Sequence, residues 1–274
     1  MNISIASYSF HGLRAANMMD VFGYLESVRH RYRLDAADIW NGTIGADSSV
    51  YLTEEFLKKI KMALLERELT LVNYHVDGVH VWDPDPEVRE RNYRGALEHL
   101  SAAEYLGART VRIDAGGKGT EMSAEQLDFT VKRYREYAER AANGGFRIGP
   151  ENHWGPSLNP NVMEQIARAV DSPAYGILMH IGHWEVGDSA DGDRRMAPWA
   201  MHTHVDANVT RTGLSERMAI LLEAGYTGCW GVEHHSAKNE YAEVAYQVAA
   251  VQRALAQLGL SGGAGPTINP LLGF

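Results

Sequence analysis

The chain has 274 residues, of which 45% are hydrophobic and 22% charged, a composition typical of a soluble globular domain; one α/β barrel of about 250 residues would use nearly all of it. Its formal net charge of −9 disfavours binding to phosphate backbones, so no nucleic-acid partner is expected. A single cysteine excludes an internal disulfide, and neither a secretory signal nor an apolar run of about 18 residues is found, so we expect a cytoplasmic protein with no membrane partner.

Strand-like and helical segments alternate along the chain. The first half predicts a strand at 3–8, a helix at 13–32, a strand at 34–40, a helix at 53–68, a strand at 69–74, a helix at 87–106, a strand at 109–113 and a helix that Ser123 caps and that ends at 143–145. The second half predicts a strand ending at Glu151, a helix at 159–170, a strand ending at His180, a mobile polar loop at 187–193, a strand ending at His204, a helix at 215–224, a strand ending at Glu233 and a helix at 239–258. Eight such alternations predict a single α/β domain, a (β/α)8 TIM barrel over residues 1–259.

A short C-terminal extension follows the predicted barrel. Residues 260–274 contain glycines and prolines that disfavour a helix. We expect this tail to be disordered or to lie on a neighbouring surface, which leaves open a homo-oligomer or a second subunit bound through it.

Four predicted strands end in side chains that bind metals. These are Glu151, His180, His204 and Glu233, separated by 29, 24 and 29 residues, about one strand-plus-helix unit each time. In a parallel barrel such strand ends meet at one mouth. Two carboxylates and two imidazoles brought together there would hold one divalent cation.

The same rim carries candidates for substrate binding. Ten of the twelve histidines lie near predicted strand ends, where barrel enzymes place their active sites. His75, His153, His183 and Arg211 are candidates for hydrogen bonds to substrate or for proton transfer, and Trp154 for an apolar wall against it.

These motifs resemble the xylose-isomerase-like TIM barrel superfamily of sugar isomerases and epimerases. The resemblance runs from Ala6 to Glu233 and is carried by Glu151-Asn152-His153, His180-Ile181-Gly182-His183, His202-Thr203-His204-Val205-Asp206 and Val232-Glu233. In that family Glu, Asp, His and Glu from strands five to eight commonly hold the metal, which implies Glu151, His180, His204 and Glu233 as ligands here. His180 departs from the usual aspartate. The loss of one negative charge favours Mn²⁺, Co²⁺ or Zn²⁺ over Mg²⁺, and we expect one ion per chain, with Mn²⁺ first.

The resemblance implies a metal-dependent isomerase or epimerase acting on a sugar, keto-sugar or related polyol through an enediolate. Glu151 and Glu233 would serve as ligands and as acid/base catalysts. Loss of a β-hydroxyl would instead make a lyase, either a dehydratase of a keto-polyol or a C-glycoside-cleaving subunit that needs a partner chain. An apurinic-endonuclease-like repair enzyme shares the scaffold, but the net charge and His180 argue against it.

Overall fold

The computed structural model describes residues 3–45 and 48–260 and shows eight parallel strands surrounded by helices. The strands are β1 (Ile3–Ala6), β2 (Ala36–Trp40), β3 (Thr70–Val76), β4 (Thr110–Ile113), β5 (Arg147–Gly149), β6 (Ile177–His180), β7 (Ala200–Val205) and β8 (Trp230–Val232). Consecutive strands pair from β1 to β5 and from β6 to β8, and β8 pairs with β1. The predicted (β/α)8 barrel is confirmed, whereas the predicted tail lies, after Leu260, outside the described residues.

Helices connect the strands, and several of them begin or end at capping residues. They are α1 (His11–Ala15), α2 (Val21–Glu26), α3 (Asn41–Ile44), α4 (Ser48–Tyr51), α5 (Glu54–Glu66), α6 (Pro86–Leu106), α7 (Ala124–Gly144), α8 (Pro160–Val170), α9 (Ser189–Met196), α10 (Ala207–Thr212), α11 (Leu214–Glu223) and α12 (Glu240–Gln257). The side chains of Thr53, Ser123 and Asn159 accept hydrogen bonds from the first turns of α5, α7 and α8. Gly107 and Gly145 end α6 and α7 in the left-handed conformation.

The barrel closes between β5 and β6 through an irregular contact. Gly176 donates its N–H to the carbonyl of Ile148 at 3.0 Å, and Leu178 donates to the carbonyl of Pro150 at 2.9 Å. The two strands approach so closely that a Cβ on Gly149 would lie 1.7 Å from the Gly176 oxygen. Glycine at these positions therefore allows the strands to meet, and the metal-ligand candidates that follow each strand are brought side by side.

The helix predicted at 13–32 is interrupted. It ends at Ala15, and α2 starts at Val21, because Asn17 takes a φ of 55° and the Asp20 side chain caps the new helix. An apolar stripe of Met18, Val21, Phe22, Leu25 and Val28 suggested one continuous helix. Val21, Leu25 and Val28 are buried, but Met18 is 72% exposed, and α1 buries none of its residues.

The prediction of a mobile polar loop at 187–193 was wrong, because most of this segment belongs to helix α9. The Asp188 side chain accepts two backbone hydrogen bonds from the first turn of that helix. Gly192 lies inside this helix, and a Cβ there would come within 2.7 Å of the Trp184 ring, so the close packing of Trp184 requires glycine. A polar sequence with an internal glycine resembled a loop, but a cap and a packing contact stabilise the helix.

The main apolar core contains strand and helix residues, whereas alternate residues of several strands are buried and polar, and two of them are charged away from the strand ends. Asp38 on β2 is 0% exposed and Arg112 on β4 is 2% exposed. A buried charge is costly unless it is paired, so we expect Asp38 and Arg112 each to contact groups of opposite charge or hydrogen-bonding partners.

Among the described helices, none is both long and apolar enough to cross a membrane.

Candidate metal centre

The four predicted ligands meet where β5, β6, β7 and β8 end. Glu151 Oε1 lies 3.2 Å from His180 Nδ1 and 3.1 Å from His204 Nδ1. Glu233 Oε2 lies 3.3 Å from His204 Nδ1 and 3.6 Å from His180 Nδ1. All four side chains are buried, and one ligand atom from each lies within 4.8 Å of the others. The geometry thus brings together the residues whose spacing suggested a cation site.

The charges in this cluster depend on one another. Burial raises the pKa of Glu151 and of Glu233, but several cationic neighbours together outweigh it. His204, Arg112 and His153 hold the pKa of Glu151 well below the ordinary range, and His204 with His235 does the same for Glu233. Burial likewise opposes a charge on His204, yet Glu233, Glu151 and Asp38 raise its pKa well above the usual value. The carboxylates therefore stay ionised and stabilise a positive charge between them.

Asp38 lies beneath the ligand cluster and contacts two histidines. Its Oδ2 lies 2.7 Å from His202 Nε2 and 3.1 Å from His204 Nε2. Asn73 donates its amide to Asp38 Oδ1 at 2.8 Å, and the Tyr24 hydroxyl accepts the Asp38 N–H at 2.8 Å. His202 and His204 share one face of β7, as their spacing predicts, and His202 supports the ligands from below.

Asn152 fixes the backbone of His180. Its side-chain oxygen accepts the His180 N–H at 2.7 Å, and its amide donates to the carbonyls of His180 at 2.8 Å and His183 at 3.0 Å. His180 Nε2 faces Asp206 Oδ2 at 4.0 Å, while the other oxygen of Asp206 caps α10 through Val209 N–H. His180 therefore turns Nδ1 towards the cluster and Nε2 towards a half-buried carboxylate.

Arg112 brings a buried positive charge to the edge of the cluster. Its Nε lies 3.0 Å from Glu151 Oε2, and its Nη1 lies 2.6 Å from Asp77 Oδ1 and 3.2 Å from Asp114 Oδ2. Nη1 also donates to the carbonyl of Val76 at 3.0 Å. The guanidinium holds one oxygen of Glu151, which leaves the other oxygen facing the two ligand histidines.

His75 lies against the cluster, as predicted, and is held by Arg112. Arg112 Nη2 donates to His75 Nδ1 at 3.3 Å, so the second ring nitrogen, Nε2, carries the proton of the neutral ring. That nitrogen lies 3.7 Å from Asp38 Oδ1 and has no hydrogen-bond partner among the described residues. Burial lowers the pKa of His75 to about 4, so its ring is neutral near pH 7.

His153 and Trp154, both predicted to bind substrate, are anchored together on Asp114. His153 Nδ1 lies 3.1 Å from Asp114 Oδ2, and Trp154 Nε1 donates to the same oxygen at 3.0 Å. Burial opposes a charge on His153, but Glu151 and Asp114 raise its pKa to about 9. Its side chain is 40% exposed, so a charged imidazole borders both the buried carboxylates and solvent.

His183 and Arg211, the remaining two predicted substrate-binding residues, differ in how close they lie to the cluster. The His183 ring stands edge-on to His180 with centroids 4.9 Å apart, and burial with the nearby His180 lowers its pKa. Arg211 is not brought into the cluster. It is half exposed, forms an ion pair with Glu243 at 2.8 Å, and lines an adjoining cleft of about 400 Å³ with His235.

The donor set and the charge balance both fit a divalent cation. Two carboxylate oxygens and two imidazole nitrogens are ligands of Mn²⁺, Co²⁺ and Zn²⁺. Four buried carboxylates, Asp38, Asp114, Glu151 and Glu233, face one buried guanidinium and the charged His153. Without a cation, the raised pKa of His204 supplies part of the balancing positive charge, and a divalent ion held by the two carboxylates would take the place of that proton.

Asp38 and Arg112, which contact the candidate ligands, were not predicted from the sequence. Each is the one charged residue in its strand. A single charge within an apolar strand indicates a side chain that is buried and paired, so the sequence could have identified both. Asp206 and His235 were also not chosen as site residues. Each lies two positions after a ligand, and together with His180 they form a second group of potential ligand atoms.

The family of the chain follows from a comparison of its sequence with family models. The model described as "Xylose isomerase-like TIM barrel" matches residues 30–256. The chain belongs to this family. The resemblance stated from the sequence is thereby confirmed, and the four-ligand cluster lies within the matched residues. No curated protein matches the chain.

Solved structures share the fold at low sequence identity. The probable 3-DHS dehydratase AsbF from Bacillus anthracis has a TM-score of 0.71 and 14% identity, and the match covers 92% of this chain and 98% of that one. A D-tagatose 3-epimerase-like protein has a TM-score of 0.72 and 18% identity, over 94% and 98%. The 3-keto-D-glucoside 4-epimerase YcjR from E. coli has a TM-score of 0.70 and 16% identity, over 94% and 99%. At these identities the likeness establishes the fold alone.

Proposed function

We propose that the protein is a divalent-metal-dependent isomerase or epimerase of a sugar, keto-sugar or related polyol. The observation that carries the proposal is the convergence of Glu151, His180, His204 and Glu233 within 4.8 Å at the mouth of the barrel. Membership of the xylose isomerase-like family and the epimerases among the similar structures support the same reaction class.

The four ligands would hold one ion, with Mn²⁺ as the first candidate and Co²⁺, Zn²⁺ or Mg²⁺ as alternatives. When bound, such an ion supplies Lewis acidity to neighbouring carbonyl and hydroxyl oxygens. The proton transfers are carried out by side chains of the protein. Glu151 and Glu233 accept the proton from the carbon next to the carbonyl and return it, either to the neighbouring carbon or to the opposite face.

The rim residues position the substrate around this exchange. His75 is neutral and carries its proton on Nε2, so it can donate a hydrogen bond to the substrate as an uncharged ring. His153 and His183 lie at the edge of the cluster, and Trp154 offers a flat apolar surface against which C–H groups can pack. Arg211 would contact only a substrate that extends into the adjoining cleft.

A metal-dependent lyase is the second candidate, and His153 is the observation that favours it. Its pKa is raised to about 9, so near pH 7 it is an acid able to protonate a departing hydroxyl or aglycone. A dehydratase stands among the similar structures. A C-glycoside-cleaving subunit would also require a second chain, and co-purification of that chain would distinguish it from an enzyme that works alone.

The test combines metal content with proton exchange. We expect the purified chain to contain or take up about one divalent ion, and Glu151→Gln and Glu233→Gln each to lose it in elemental analysis. Glu240→Gln is the matched control. Glu240 is a buried carboxylate that accepts hydrogen bonds from the N–H groups of Gly12 and Leu13 and does not face the cluster.

The substrate screen should contain keto-sugars, inososes and glycosides, with Mn²⁺, Co²⁺ or Zn²⁺ added. Solvent deuterium should enter the substrate at the carbon next to the carbonyl. An epimer or isomer as product supports the first candidate, and a product lacking water supports the lyase. A wild-type chain that binds none of these ions at millimolar concentration would refute the metal-dependent proposal. Tight, salt-sensitive binding to abasic duplex DNA would favour repair.

A further inference from the structure

The buried carboxylate of Asp38 determines which nitrogen of His204 faces the ligand cluster. Asp38 is 0% exposed, and its Oδ2 lies 3.1 Å from His204 Nε2. A carboxylate can only accept a hydrogen bond, so Nε2 of His204 must carry a proton. Nδ1 faces Glu151 at 3.1 Å and Glu233 at 3.3 Å, and these carboxylates also accept a proton from it when no cation is bound. A cation at the cluster would displace this proton, because the proton on Nε2 is held by Asp38, so Nδ1 is the nitrogen available as a ligand.

We propose that Asp38 is a positioning residue that fixes His204 to bind the cation through Nδ1. The role rests on the proposed function, because it requires a cation at the four-ligand cluster. Carboxylate–histidine–metal arrangements orient the ring and increase its basicity, and their loss costs about 10- to 100-fold in metal affinity.

The environment of Asp38 holds the carboxylate in this orientation. Asn73 donates its amide to Oδ1 at 2.8 Å, and the Thr110 hydroxyl, which has the carbonyl of Val72 at 2.9 Å as a second acceptor, lies 2.8 Å from the Asn73 side-chain oxygen. On the other side, Oδ2 also accepts from His202 Nε2 at 2.7 Å. Donors therefore surround both oxygens, and an amide at position 38 would turn its own N–H groups against one of them.

His180 shows what a looser arrangement looks like. It also turns Nδ1 to the cluster and Nε2 to a carboxylate, but Asp206 lies 4.0 Å away and its side chain is 28% exposed. The backbone of His180 is instead held by Asn152. The direct carboxylate contact is thus a feature of His204, and its removal should affect metal binding through that ring.

The experiment measures Mn²⁺ affinity by calorimetry in the metal-stripped full-length chain. Asp38→Asn should weaken binding about 10- to 100-fold. The double variant D38N/N73D should restore most of the affinity. Its asparagine oxygen can accept from the two histidines while its amide donates to the new carboxylate at position 73, and its composition and net charge equal those of the wild type. The control Glu240→Gln removes a buried carboxylate elsewhere and should leave the affinity unchanged.

The possible outcomes separate the two proposals. A wild-type chain that does not bind Mn²⁺ contradicts the proposed function itself. A wild-type chain that binds, with Asp38→Asn binding equally well, contradicts only the role of Asp38. Weak binding by both the single and the double variant would show that a carboxylate in direct contact with His204 is needed, and not only the orientation of the ring, and would also overturn the proposal.

A spectroscopic measurement on the wild type avoids any dependence on how the variants fold. In the chain loaded with Zn²⁺, the ¹⁵N shifts of His204 should show a protonated Nε2 and a metal-bound Nδ1. A metal-bound Nε2 would overturn the proposal whatever the variants do.

Discussion

Replacing Arg112 with methionine should destabilise the barrel by about 3–5 kcal/mol, because it leaves buried carboxylates without their counterion. The guanidinium is 2% exposed and lies 3.0 Å from Glu151, whose side chain is 1% exposed, and 3.2 Å from Asp114, whose side chain is 7% exposed. The third carboxylate, Asp77, is 42% exposed, so water screens that pair and it adds at most about 1 kcal/mol. The two buried carboxylates therefore account for most of the expected loss.

Urea unfolding followed by circular dichroism, in the presence of EDTA, would measure the change in free energy. Arg147→Met is the matched control, since Arg147 is also a strand arginine but donates only to main-chain carbonyls. Its loss should cost about 1–3 kcal/mol. Neutralising the stranded acids in the same chain, with Glu151→Gln and Asp114→Asn added to Arg112→Met, should recover much of the stability.

The pH dependence has a definite sign. In the wild type the pKa of Glu151 is depressed, so its contribution to stability is present above the unfolded pKa of about 4.3 and is lost as the pH falls through the lower folded value. Without Arg112 that depression is smaller, so the two chains should differ most near neutral pH. A loss below about 1 kcal/mol at pH 7, or no recovery in the triple variant, would refute the claim that the guanidinium balances these carboxylates.

Three further predictions concern protonation, the backbone at His180, and metal. Burial lowers the pKa of His99 to about 4, so protonation of this ring should lower the free energy of unfolding by about 3 kcal/mol as the pH drops from 6.5 to 4. His99→Gln should remove this loss from a urea-unfolding pH profile, and its amide oxygen can still accept a hydrogen bond from Tyr74. Asn152→Ala should cost about 1–3 kcal/mol in the same assay and weaken Mn²⁺ binding in calorimetry, because it frees the backbone of His180. Mn²⁺ at 100 times its dissociation constant should add about 2.7 kcal/mol to the free energy of unfolding, and EDTA should remove it.

The fold was predictable because each strand-plus-helix unit repeats the same pattern. Apolar runs of strand length alternate with helices whose caps, such as Ser123 and Gly107, can be read from single residues. The break at Asn17 and the helix at 189–196 were not predictable in this way. Both depend on contacts outside the local sequence or on one backbone conformation, such as the packing of Trp184 over Gly192.

The convergence of the four candidate ligands was predictable for a related reason, and the contacts of the residues beneath them were not. Residues at the ends of parallel strands must share one end of a barrel, so sequence spacing alone brings Glu151 and Glu233 together. Asp38 lies inside a strand, and the distance along the chain to His204 says nothing about their contact. Asp38 lies on β2 and His204 on β7, and β1 and β8 separate these two strands in the sheet. Their contact depends on the pairing of β2 with β1, β1 with β8 and β8 with β7, which is seen only in the folded barrel.

The imidazole at position 180 changes the charge that a bound cation would retain. With two carboxylate ligands, a divalent ion and its direct ligands are neutral overall, whereas a third carboxylate would leave them with one negative charge. A less neutralised cation attracts electrons from a coordinated oxygen more strongly, which favours removal of the neighbouring proton. Arg112 acts in the same direction, because it withdraws one oxygen of Glu151 from the cluster at 3.0 Å. Under the proposed function, His180 would therefore leave a bound cation better able to polarise a carbonyl than an aspartate would, and Arg112 would add to this effect.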